Sequence, residues 1–229
     1  MKKIISVIAA LAMVMALTAL SACSGKAASA EKPADAEAKN PPDDSSRPVN
    51  EDAKTLVVYF SVPDNKDNSY VEINGERLGN TQYMAYVIQQ NTGANIFRIL
   101  PKTPYPTDHN ELLKAAQEEI RTGARPEIEG TIENFDAYDT VFVGYPNWNA
   151  DMPYIMYSFF EAYDFSDKTI IPFNTHGGSG FSGTQETIAG LELNAAMLPG
   201  KSISRSSIAG AEQEIIDWLD GISMLKAGD

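Results

Sequence analysis

Short runs of consecutive apolar residues alternate along this chain with segments whose apolar residues recur every three or four positions. Thr55 to Phe60 (Thr-Leu-Val-Val-Tyr-Phe) is a continuous apolar run, the pattern of a strand covered on both faces. Asn80 to Asn91 predicts a helix with Met84, Ala85, Val87 and Ile88 on one face and Gly93 as terminator. Ala94 to Leu100 predicts a second strand. Asp108 with Glu111 forms a capping-box pattern ahead of a stripe made of Leu112, Leu113, Ala116 and Ile120. A third strand is expected over Asp139 to Tyr145, a helix over Pro153 to Tyr163, and a fourth strand over Lys168 to Asn174. Ser182 with Gln185 is expected to cap the next helix, with Ile188 and Leu191 facing the core. A weaker strand at Lys201 to Ser204 leads to a last helix carrying Ile215, Ile216, Leu219 and Ile222. Five strands alternating with five helices predict an α/β fold, a doubly wound open five-stranded parallel sheet with helices on both faces. Right-handed crossovers and the strand count leave no room for a closed eightfold barrel.

One connection breaks the rhythm. Val62 to Leu78 is a long passage where a βα turn uses a few residues, and it holds alternating residues around Asn74-Gly75. The pattern predicts a small hairpin inserted in the first βα loop.

The N-terminus has a different character. Lys2 and Lys3 precede an apolar run from Ile4 to Leu20, a basic region followed by a stretch slightly short for a membrane span. Leu20-Ser21-Ala22-Cys23 resembles the lipobox of bacterial lipoproteins, and Cys23 is the only cysteine. That resemblance implies cleavage before Cys23 and its diacylation, with two acyl chains for stable anchoring. The alternative is an ordinary secretory signal or membrane anchor. Residues 24 to about 53 are rich in Ala, Lys, Glu, Asp, Pro and Ser, with no aromatic residue. The expected organisation is a signal peptide over 1–22, a lipid-anchored disordered linker over 23–54, and a folded domain over 55–229. The protein is then exported and faces away from the cytoplasm on a bacterial membrane.

Composition narrows the function classes. The content is that of a globular protein, 43% hydrophobic and 21% charged. Asp and Glu total 31 against 18 Lys and Arg, a net charge of −13, which repels phosphate backbones and speaks against nucleic-acid binding. Two His and one Cys are too few for a Cys/His zinc module.

Ligands of open parallel sheets sit outside the carboxyl ends of the strands, where three loops are expected to meet. The first holds Ser61 and, past the insertion, Gly79-Asn80-Thr81 at a helix start, where amides and hydroxyls favour a phosphate. Asn80 or Thr81 as a plain helix cap is the competing reading. The third-strand loop, Tyr145-Pro146-Asn147-Trp148-Asn149, presents an indole with no obvious core to fill, expected either to stack on a planar ring or to fold back on its own helix. The fourth-strand loop is Thr175-His176-Gly177-Gly178-Ser179-Gly180-Phe181-Ser182, whose glycines let the backbone approach a ligand closely. Gly178 to Gly183 matches G-x-G-x-x-G, but in the fourth βα unit and without an acidic residue about 20 positions later. Ser179 with His176 makes a poor hydrolase, since Phe181 breaks the nucleophile elbow and both His precede the Ser.

Together these loops resemble the flavodoxin family, in particular flavodoxin-like bacterial lipoproteins. The matching residues are Tyr59-Phe60-Ser61, Gly79-Asn80-Thr81, Gly144 to Trp148 and Pro172 to Gly180, with Ile132 to Asp136 ahead of the third strand. The resemblance implies FMN held without covalent linkage. Ser61, Asn80 and Thr81 would take the phosphate, and Asn147 and Trp148 would line the isoalloxazine. Thr175, Gly177, Gly178 and Ser179 would wrap its pyrimidine edge with backbone amides, and Gly79, Pro146, His176 and Phe181 are further expected cofactor-binding residues. An aromatic wall and few nearby cations would lower the flavin potential. The implied partners are redox proteins or small quinone-like acceptors, with no catalytic side chain demanded of the protein. The rival expectation is a binding or scaffold lipoprotein that keeps the fold without FMN.

Overall fold

Thr55–Phe60 forms β1, and its register fixes the rest of the sheet: β1 pairs in parallel with β4 (Asn95–Pro101) on one side and β6 (Thr140–Pro146) on the other. This computed structural model describes Asp44 and residues 47–65 and 69–227; the expected signal peptide and Cys23 lie outside the described residues. Beyond β6 comes β7 (Thr169–His176), which pairs in parallel with β8 (Ala196–Met197) and β9 (Lys201–Ser204). The expected fifth strand is present as β9, and β8 is a short additional strand separated from it by a break. The break falls at Leu198-Pro199-Gly200, where a Cβ on Gly200 would collide with the Pro172 carbonyl. A two-residue β5 (Ile128–Glu129) adds an antiparallel edge beside β4.

Side chains alternate across the sheet although the strands read as continuous apolar runs. Val57, Tyr59, Phe142, Ile171 and Phe173 meet α1 (Asn80–Thr92) and α5 (Glu212–Gly221) on one face. Leu56, Val58, Phe60, Val141, Val143 and Ile170 meet α3 (Tyr154–Ala162) and Ile188 of α4 (Thr184–Leu191) on the other. The remaining helix, α2 (His109–Thr122), lies beside α3 and is capped by the Asp108 carboxylate, which accepts the Asn110 and Glu111 amides. Crossovers leave β1 in opposite directions, so the loops after β1 and β6 part at a switch point.

Three expectations need correction. Ser182 does not cap α4: it stands at φ 53°, its Oγ donating to the Ser179 carbonyl, and Gly183 holds the cap position. Leu191 and Ile120, expected in the core, are exposed because each lies near the end of its helix. The expected linker reaches the domain before residue 54. Tyr59 and Tyr86 donate their hydroxyls to the Asp44 carboxylate, and the Arg47 guanidinium lies 3.2 Å from the Tyr86 ring centre. Asn50 exchanges hydrogen bonds with Asn95 at the start of β4.

The inserted hairpin is present as β2 (Tyr70–Ile73) and β3 (Glu76–Gly79), turning at Asn74 and Gly75, both at positive φ as a two-residue hairpin turn requires.

Candidate functional site

The insertion returns the chain to the point it left. The last residue of β3, Gly79, packs directly on Ser61, and a Cβ at Gly79 would collide with the Ser61 hydroxyl. The Gly79 amide donates to Gln82 Oε1 at 3.0 Å, and the Asn80 amide to the Ser69 carbonyl at 2.8 Å. Ser69 Oγ in turn bonds the carbonyls of Val62 and Asn65. Ser61, Asn80 and Thr81, remote in sequence, are thus gathered at the carboxyl edge of β1, all buried. Thr81 Oγ1 stands 2.9 Å from Thr175 Oγ1 at the end of β7, joining the first loop to the fourth.

The third loop is pinned as a tight hairpin turn. The Trp148 and Asp151 amides and carbonyls exchange hydrogen bonds, with Asn149 and Ala150 both at positive φ. The Asn147 amide donates to the Thr175 carbonyl, and its side-chain amide to the Gly180 carbonyl, which also accepts from the buried Asn174. Trp148 contradicts one expectation. Its indole meets Phe60 and Tyr105 edge-on, at ring centroids of 5.5 and 5.2 Å, so it packs on the core while also facing the cleft.

One cleft opens between these loops and α2. Of the residues singled out from sequence, Ser61, Asn80, Thr81, Pro146, Asn147, Trp148, Thr175, His176 and Gly177 line it. Gly79 stands behind Ser61. Gly178, Ser179 and Phe181 are not in the lining; the Phe181 ring lies over Gly200 at the break of the edge strand. His176 accepts the Gly178 amide on Nδ1 at 2.8 Å, and burial lowers its pKa from the usual imidazole value.

Sequence reasoning missed Val62, Asn65 and Ser69 of the insertion, His109, Leu112, Leu113 and Ala116 of α2, and Arg205 after β9. Apart from the apolar stripe of α2, none carries a motif. Only a cation just past a strand end could have pointed to Arg205. Arg205 on the lining bears on the expectation of few nearby cations. No Asp or Glu lines the cleft among the described residues, in a chain of net charge −13.

The comparisons with known proteins agree with this architecture. The profile of the flavodoxin family matches residues 69–222. A solved structure from Bacteroides eggerthii DSM 20697, assigned to the flavoproteins, is 28% identical over 74% of this chain and 98% of its own, with a TM-score of 0.59. A second, from Bacteroides uniformis ATCC 8492, is 23% identical over 73% and 97%, also at 0.59. A flavoprotein from Lactobacillus acidophilus NCFM, solved in complex with FMN, is 16% identical over 68% and 96%, at 0.52. No curated protein gave a significant match. The parallel sheet, the cleft at its switch point and the matched profile together establish that this chain belongs to the flavodoxin family.

Proposed function

We propose that the protein binds FMN non-covalently and works as a redox carrier tethered to a bacterial membrane by a lipid on Cys23. The observation that supports this most is a cleft with no lining carboxylate among the described residues of an acidic chain, with the Ser61 and Thr81 hydroxyls near one helix start and a cation, Arg205, on its lining. An anion is favoured there. The residues fit the cofactor. Gly79 leaves space at Ser61 that a Cβ would fill, hydroxyls offer donors for a phosphate, and Trp148 offers an aromatic wall.

Ser61, Asn80 and Thr81 hold the phosphate in this reading, while Asn147 and Trp148 flank the isoalloxazine and Thr175 to Gly177 meet its pyrimidine edge. FMN supplies one- and two-electron chemistry, and the protein supplies binding, orientation and exclusion of water. Redox proteins or small quinone-like molecules are the acceptors. The purified full chain should turn yellow with FMN and quench its fluorescence. A chain that stays colourless at saturating FMN sinks the redox reading in favour of a scaffold lipoprotein.

Trp148 tests the ring site. Trp148→Ala should brighten bound FMN and weaken it about tenfold. Apo stability should also fall by about 2 kcal/mol, because the indole packs on Phe60 and Tyr105. Unchanged affinity with lowered stability would make Trp148 a core residue only.

The tether has its own test. Cys23→Ser should abolish labelling by radioactive fatty acid and leave FMN affinity and thermal unfolding unaltered. Label entering the serine variant would rule out Cys23 as the anchor.

A further inference from the structure

Both histidines of the chain line the same cleft, and one of them holds its loop. The glycine-rich stretch after β7 is fixed at its far end by the Gly180 carbonyl, which accepts from Asn147 and Asn174. Near its start the Gly178 amide, at φ +135°, donates to His176 Nδ1 at 2.8 Å. An imidazole that accepts on Nδ1 carries its single proton on Nε2. A second proton must go to Nδ1, where it would face the Gly178 N–H donor to donor. The amide must then turn away, and the loop loses its near anchor.

We propose that His176 is a pH-sensitive positioning residue of the cleft: neutral, it holds the Gly178 amide and so fixes the neighbouring Gly177, which lines the cleft, and protonated, it releases that backbone and weakens binding. The ligand rests on the FMN reading above, whereas the release of the loop belongs to the protein alone.

The surroundings reinforce the neutral form. The Arg205 amide donates to the His176 carbonyl at 2.9 Å, and its guanidinium lies against Gly177. His109, the first residue of α2, lines the cleft from across it. β6 and α1 carry no charged residue. The one charge of β9, Lys201, pairs with Glu214. Among the described residues no carboxylate lines the cleft to favour a proton added to His176. Burial already pushes this imidazole below its ordinary value of 6.5, so release belongs on the acid side of that value.

The experiment uses the full chain and three variants, His176→Asn, His176→Ala and His109→Gln, from about pH 5 to about pH 8. An asparagine oxygen accepts an amide two residues on, as in an Asx turn, and does not titrate. Riboflavin accompanies FMN because it lacks the phosphate, which itself titrates near pH 6. Wild type and His109→Gln should lose about tenfold in riboflavin affinity towards acid pH. His176→Asn should hold its affinity flat, and His176→Ala should bind about tenfold more weakly at every pH. In the apo-protein, the Gly178 amide should shift and lose exchange protection as His176 protonates. A riboflavin profile in His176→Asn that follows wild type, or a Gly178 amide indifferent to that protonation, overturns the proposal. If neither flavin binds at any pH while the Gly178 amide still titrates, the FMN reading fails and the histidine latch stands.

Discussion

Gly79→Ala should lower FMN affinity about a hundredfold and riboflavin affinity far less. The added methyl would sit inside contact distance of Ser61 Oγ, with Ser61 Cβ 3.1 Å away, so the hydroxyl must leave the position it holds on the cleft lining. A hydrogen bond to a charged group contributes roughly 1.5–3 kcal/mol, and its loss spans about ten- to a hundredfold in affinity. The upper end is expected here because the same methyl also narrows the space next to Asn80. Ser61→Gly in the Gly79→Ala background restores the space without restoring the hydroxyl. It should recover apo stability while leaving FMN weak. Isothermal titration with both flavins separates these cases. Equal losses for FMN and riboflavin would place the phosphate elsewhere.

Gly144→Ala should be the most damaging single methyl in the sheet. Gly144 of β6 is in register with Phe173 of β7, and its Cβ would enter the Phe173 ring, itself fully buried. Overpacking of a core at this closeness costs about 3 kcal/mol, because the ring must leave its rotamer or the strands must part. In a domain of this size that lowers the melting temperature by roughly 6–12 °C. Phe173→Leu alone should cost about 1.5 kcal/mol by leaving space. The double variant should cost less than the two single costs together, since each change relieves the other. Strict additivity in calorimetry would mean that the two residues do not share the space.

The contrast between these two glycines shows what can be read from the chain alone. The fold was legible because its elements are local. Apolar runs mark β1, β6 and β7, Asp108 marks the start of α2, and Asn74-Gly75 marks the hairpin turn. The positions of Ser61, Thr81, Trp148 and Thr175 at one edge follow from strand order, so much of the cleft was legible too. What escaped depends on where long excursions return. Nothing local in Ser69 says that its carbonyl accepts the Asn80 amide, and nothing in Arg205 says that it lies against Gly177. Trp148 was half understood: its loop position was readable, but its partner Tyr105 comes from the long β4–α2 connection, whose path no periodicity describes. The additional strand β8 also escaped, and the crowding of Gly200 by Pro172 and Phe181 at the break before β9 is a contact across sequence.

The segment ahead of β1 has a mechanical meaning. A pull arriving from the N-terminal side meets a series of side-chain contacts before it follows the backbone into β1. It meets Asp44 on the Tyr59 and Tyr86 hydroxyls, then Arg47 on Gln89 and the Tyr86 ring, then Asn50 on Asn95. These contacts lie one after another along the chain, so a pull that peels them breaks them in sequence. They act as a fuse for β1, whose parallel ladders to β4 and β6 would otherwise take the full load. The switch point and the cleft beside it keep their shape until that fuse has run out.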